Sequence, residues 1–124
     1  MTLPLALVFY EDLIPGSQLV NRLQDSHYRV QPVSKLDELA DVATHAGPML
    51  IFADLVSKKG DVCDVIRKLR GNPATAHIPI IGFADDAEEA LQVAGRAAGA
   101  TLVAADSALL THLPQFIERA LQVE

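Results

Sequence analysis

Eight residues, Pro48-Met-Leu-Ile-Phe-Ala-Asp-Leu55, constrain this chain more than any others. Gly47-Pro48 opens the run and a polar loop closes it, and its length suits a strand better than a helix. The apolar residues do not alternate with polar ones, so both faces of the strand are covered. Such a strand belongs to a parallel sheet lying between layers of helices. The run ends on a single carboxylate, Asp54. In sheets of this kind function lies beyond the carboxyl ends of the strands, so Asp54 is the first candidate for chemistry.

The rest of the chain repeats the same unit. Residues 5–10 form an apolar run that stops at Glu11-Asp12. Pro15-Gly16-Ser17 can start a helix carrying Leu19, Val20 and Leu23 on one face. Residues 28–33 alternate weakly and suit a more exposed strand. Ser34 and Asp37 have capping-box spacing and open a helix that Gly47-Pro48 stops. Asp61 can cap the next helix, with Val62, Val65, Ile66 and Leu69 inside and Gly71 as its stop. Residues 78–83 form a fourth strand, with Pro79 near its start. Asp85-Asp86 places acids in the first turn of an alanine-rich helix ending at Gly99. Residues 101–104 form a short fifth strand. Ser107 can cap the last helix, and Pro114 requires either a broken first turn or a helix that begins there.

Five strand–helix alternations in 124 residues imply right-handed crossovers and one doubly wound (βα)5 sheet. The expected fold is a flavodoxin-like α/β domain over residues 1–124, its five parallel strands in the order 2-1-3-4-5. Strands 1 and 3 are then neighbours, and Glu11, Asp12 and Asp54 meet at one switch point.

Composition narrows the function. The net charge of −6 opposes a nucleic-acid module, whose phosphate contacts need a basic face. No apolar stretch is long enough for a membrane span, and the N-terminus has no basic leader. One cysteine, Cys63, excludes an internal disulfide and fits a reducing cytoplasm. Cys63 reads as a packing residue. His27, His45, His77 and His112 share no ligand spacing and read as surface residues.

Three carboxylates in one crevice repel each other. At about 4 Å and an effective dielectric near 20, each pair costs roughly 4 kcal/mol. Such a site protonates or takes a cation. Hard oxygen ligands suit Mg²⁺, which keeps waters and recruits phosphates. A carboxylate beside a metal-bound phosphoryl group is placed for transfer, with Asp54 as the nucleophile.

With these residues in view the sequence resembles the CheY-like receiver domains of bacterial two-component response regulators, over essentially its whole length. The resemblance rests on Glu11-Asp12, on the 48–55 run, on Asn72-Pro-Ala-Thr-Ala-His-Ile-Pro-Ile-Ile81 and on Ala97-Ala-Gly-Ala100. It implies that Asp54 accepts a phosphoryl group from a sensor histidine kinase or phosphotransferase. Asp12, Asp54 and the Val56 carbonyl would ligate Mg²⁺, and Glu11 would act through water. Output would pass to a downstream protein across the face of helix 4, strand 5 and helix 5. The chain would be a signalling domain rather than an enzyme.

Four positions depart from the family pattern. The Ser or Thr after strand 4 is Ala84, the strand 5 aromatic is Val103, and the Lys after strand 5 is Asp106. The proline four residues past the acceptor is Lys58. The metal side of the pocket is intact and the sensing side is not. Lys58 or Lys59 could supply the missing positive charge. These losses keep a second reading open, a pseudo-receiver acting as a phosphorylation-independent interaction module. A flavin binder or small hydrolase on the same topology fits less well. Glu11-Asp12 stands where a flavin phosphate needs a Ser/Thr/Gly-rich loop, and no second aspartate follows Asp12 two residues on.

Overall fold

In the computed structural model, which describes residues 3–11 and 13–122, the five apolar runs pair into one parallel sheet ordered β2-β1-β3-β4-β5. The strands are β1 (Leu5–Phe9), β2 (Arg29–Val33), β3 (Leu50–Asp54), β4 (Ile80–Ala84) and β5 (Leu102–Ala105). The helices between and after them are α1 (Leu13–Asp25), α2 (Leu39–Ala46), α3 (Val62–Gly71), α4 (Glu89–Ala98), α5 (Asp106–Thr111) and α6 (Leu113–Gln122). Every residue of β3 and β4 is buried, as the unbroken apolar run of β3 requires. β2 is an edge strand exposed at three of its five residues, and there Pro32 is tolerated.

Period-two alternation divides the core. Leu7, Phe9, Ile51, Ala53 and Ile80 pack with Leu39, Ile66 and Leu69 of α2 and α3. Val8, Leu50, Phe52, Ile81 and Phe83 pack with Leu19, Leu23, Leu109 and Ile117 of α1, α5 and α6. Leu55, just past Asp54, lies in the first cluster and donates its amide to the Phe83 carbonyl at 2.8 Å. Its side chain rests on two glycines. A Cβ at Gly95 of α4 would meet Leu55 Cδ1 at 2.9 Å, and one at Gly82 of β4 would meet Leu55 Cδ2 at 3.1 Å. Those glycines let α4 press close to the sheet and fix the chain directly behind Asp54.

The expected punctuation holds at three places. Asp61 caps α3 by accepting from the Cys63 amide at 3.0 Å. Gly47 ends α2 in the left-handed region at φ 59°. The last helix breaks at His112, separating α5 from α6 just before Pro114.

Elsewhere local chemistry took another course. The Ser34–Asp37 capping box does not form; residues 36–38 make a 3₁₀ turn whose entry has no side-chain cap. β4 begins at Ile80 rather than Ile78, because the Ile78 amide turns back to the Thr75 carbonyl at 3.0 Å. α4 begins at Glu89, not Asp85. Asp85 Oδ1 takes the Ala87 amide at 2.9 Å, closing a local turn that competes with the helix. Ser107 does not cap α5, which starts one residue earlier at Asp106. α1 starts at Leu13, before the expected Pro15, since a first helical turn has no use for proline's missing N–H.

Opposite the site, at the amino ends of the strands, Arg70 acts as a clasp. Its guanidinium donates to the carbonyls of Gly99 (2.7 Å), Ala76 (2.8 Å) and Ile78 (2.9 Å) and to Thr101 Oγ1 (2.7 Å). Four bonds thus join the end of α3 to the loops before β4 and β5.

Candidate functional site

The register sets the carboxyl ends of the strands side by side. Phe9 pairs with Ala53, so Glu11 lies one residue beyond the level of Asp54. Asp54 pairs with Phe83, and Ala84 pairs with Ala105. Asp85 and Asp106 therefore follow matched positions at the ends of β4 and β5. Asp12 lies outside the described residues. Among the described residues no three His, Cys, Asp or Glu side chains form a metal-holding cluster.

Asp54 is 6% exposed, one of two buried polar residues among the described residues, in an otherwise apolar core. Its Oδ1 accepts from the Val56 amide at 3.0 Å. β3 carries it there through its pairing with β1 on one side and β4 on the other.

Glu11 is held by the loop after β3. Oε2 accepts from the Ser57 hydroxyl at 2.5 Å and Oε1 from the Lys58 amide at 2.9 Å. Ser57 Oγ in turn accepts the Lys59 amide at 3.2 Å, so its own hydrogen is free for Glu11. The Ser57 hydroxyl first, then the Lys58 amide and the positive charges of Lys59 and Lys58, hold the Glu11 carboxyl below its usual range. Reading the sequence missed Ser57. The loop looked merely polar, and a hydroxyl three residues past a strand-end acid was the only signal. Lys58 and Lys59 are exposed. Lys59 lines a groove with Lys35, Asp37, Asp61, Asp64 and Lys68 on the α3 side.

The β4–β5 end has a different character. Asp106 is half-buried, and its Oδ1 is shut off from water without a hydrogen-bond partner. Burial first, then repulsion from Asp85 and Asp86, pushes its carboxyl up. Ala84 and Val103 are both buried and apolar. Neither offers a hydroxyl or an aromatic edge to the site. Cys63 is buried, and burial with the nearby Asp61 charge raises its thiol, as a packing role demands. All four histidines are exposed.

No protein-family model and no curated protein sequence matches the chain. Solved structures do match it. A provisionally assigned response regulator from Chloroflexus aurantiacus J-10-fl superposes with a TM-score of 0.90 at 19% identity, covering 98% of this chain and 100% of that one. The receiver domain of a sensor histidine kinase from Pseudomonas aeruginosa PAO1, with a magnesium ion in its active-site cleft, gives 0.88 at 17%, covering 98% and 100%. The chemotaxis protein CheY4 of Vibrio cholerae gives 0.84 at 18%, covering 97% and 100%. The chain has the CheY-like receiver fold. No described helix is long and apolar enough to cross a membrane.

Proposed function

We propose that this chain is a phosphorelay receiver that accepts a phosphoryl group on Asp54 in the presence of Mg²⁺. The observation that carries the reading is Asp54 itself. It is a carboxylate buried at the end of the central strand, beside the Glu11 end of β1, in a fold whose ligands gather at that switch point. The available donors are all oxygens: the carboxylate of Asp54, the Val56 carbonyl and, through water, the carboxylate of Glu11. That set suits a hard divalent cation. Asp12 would join them. The magnesium reported in the Pseudomonas receiver supports the same assignment here.

Asp54 acts as nucleophile. A carboxylate oxygen attacks the phosphorus of a phosphohistidine on a histidine kinase or phosphotransferase, and the P–N bond breaks. Bound Mg²⁺ would neutralise charge on the transferring group. Apolar surroundings on β3 limit competition from water. The sensing positions contribute little: Ala84 has no hydroxyl, Val103 no ring, and Asp106 brings negative charge where the family has a lysine. We infer that output relies on partner contact at the face of α4, β5 and the last helix (α5 and α6), where Val93 is 62% exposed, more than on movement of β5. The charges of Lys59 and Lys58 both bear on Glu11, so either is a candidate for a substitute cation.

Labelling with acetyl phosphate or beryllofluoride, with and without Mg²⁺, tests the proposal. Wild type should be modified only with the ion, and Asp54→Asn not at all. Absence of Asp54-dependent modification would leave the pseudo-receiver reading in its place.

A further inference from the structure

Three consecutive loop residues each give one hydrogen to a strand-end carboxylate. The Val56 amide goes to Asp54, and the Ser57 hydroxyl and Lys58 amide go to Glu11. The Ser57 hydroxyl is itself polarised by the Lys59 amide, which strengthens what it donates. Glu11 and Ser57 are 46 residues apart in the chain, so this is a tertiary fastening and not a local turn. One donor exists because position 58 is not a proline: it is the backbone amide of Lys58. Proline, the residue usual there in the resembling family, has no N–H to give. Donors aimed at anions do part of what a cation would do: they offset the repulsion between neighbouring carboxylates.

We propose that Ser57 and the Lys58 amide form a latch on Glu11 that stands in for a divalent cation and is displaced when one binds. This rests on the reading of the site as a metal-dependent receiver. The latch spans Glu11 and the loop bearing the Val56 carbonyl, so the water by which an ion would recruit Glu11 competes with the two donors for the same oxygens. The latch therefore supports the metal-free fold and weakens metal binding together. A group that merely positioned Glu11 would strengthen metal binding instead.

The test is Ser57→Ala in the full chain, read by calorimetric titration with Mg²⁺ and Mn²⁺ and by thermal melting without metal. The latch predicts affinity about tenfold tighter than wild type, with a lower metal-free melting temperature. Ser57→Thr, which keeps the hydroxyl, should restore both values. Hydrogen exchange at the Lys58 amide should be slow without the ion and fast with it. Unchanged or weaker affinity in Ser57→Ala, with wild type still binding metal, overturns the latch and leaves the receiver reading standing. Failure of wild type and variant alike to bind either ion overturns the metal site itself, and with it the competition proposed here.

Discussion

At the β1–β3 end of the sheet, Glu11 has a donor for each oxygen and its carboxyl is held down. At the β4–β5 end, Asp106 has a buried oxygen with no donor, two acidic neighbours, and a carboxyl pushed up. Both acids stand just past the carboxyl ends of strands of one sheet. What separates them is the backbone that passes beside them. After β3 the chain runs as a loop whose amides point back at the acids. After β5 it enters α5 at once, and Asp106 is the first helical residue. An acid at a helix start gains from the helix dipole, but here that gain does not offset burial and repulsion. Satisfaction of a strand-end acid is thus decided by whether a neighbouring loop turns its donors toward it, not by its position in the sheet.

The contrast can be broken most strongly with Asp106→Lys. The exchange reverses two units of charge beside Asp85 and Asp86 and puts a cation where the sensing side lacks one. On the proposed function, the rate of acetyl-phosphate labelling should rise about tenfold, equivalent to roughly 1.4 kcal/mol at the barrier. No gain would show that the β4–β5 end does not face the phosphoryl group.

Asp106→Asn should raise stability at pH 7 by about 1 kcal/mol in urea denaturation, because an amide carries no charge to desolvate or repel. The pH dependence gives its sign. The folded state holds the Asp106 proton above the usual 3.8. Stability is therefore fully present below 3.8 and is lost as pH climbs to the raised value. The advantage of the asparagine variant should vanish at low pH.

Glu11→Gln should produce a smaller effect of opposite slope. Glu11 titrates below its usual 4.5 when folded, so its contribution is present above 4.5 and disappears as pH falls through the folded value. Half-exposure reduces the loss at pH 7 to about 0.5 kcal/mol. If both variants showed the same pH slope, the difference drawn between the two ends would be wrong.

Sequence carried the sheet further than the site. β3 was legible because five successive buried residues leave an unmistakable run, and Asp61, Gly47 and the Pro114 break are local signals with local causes. Ser34, Asp85 and Ser107 misled for a shared reason. Each has the right chemistry for a helix start, but the outcome depends on where neighbouring packing lets the helix begin. Glu11 and Asp54 could be brought together from topology alone. The Ser57 contact could not, because it depends on the path of one loop 46 residues away. The inverted character of Asp106 was readable as a charge, while its missing hydrogen-bond partner required coordinates.

The Arg70 clasp has a mechanical consequence. α4 ends at the Gly99 carbonyl that Arg70 holds, whereas its start at Glu89 follows a turn closed largely by Asp85. A helix held near its end by the Arg70 clasp and at its start by a short turn would open from its first turn before its last. Any push delivered near Asp85 would therefore disturb the first turn of α4 most and leave Ala98 almost still. Backbone amide protection should fall from the end of α4 toward its start. The clasp would make the far rim of the sheet the last part of that layer to open.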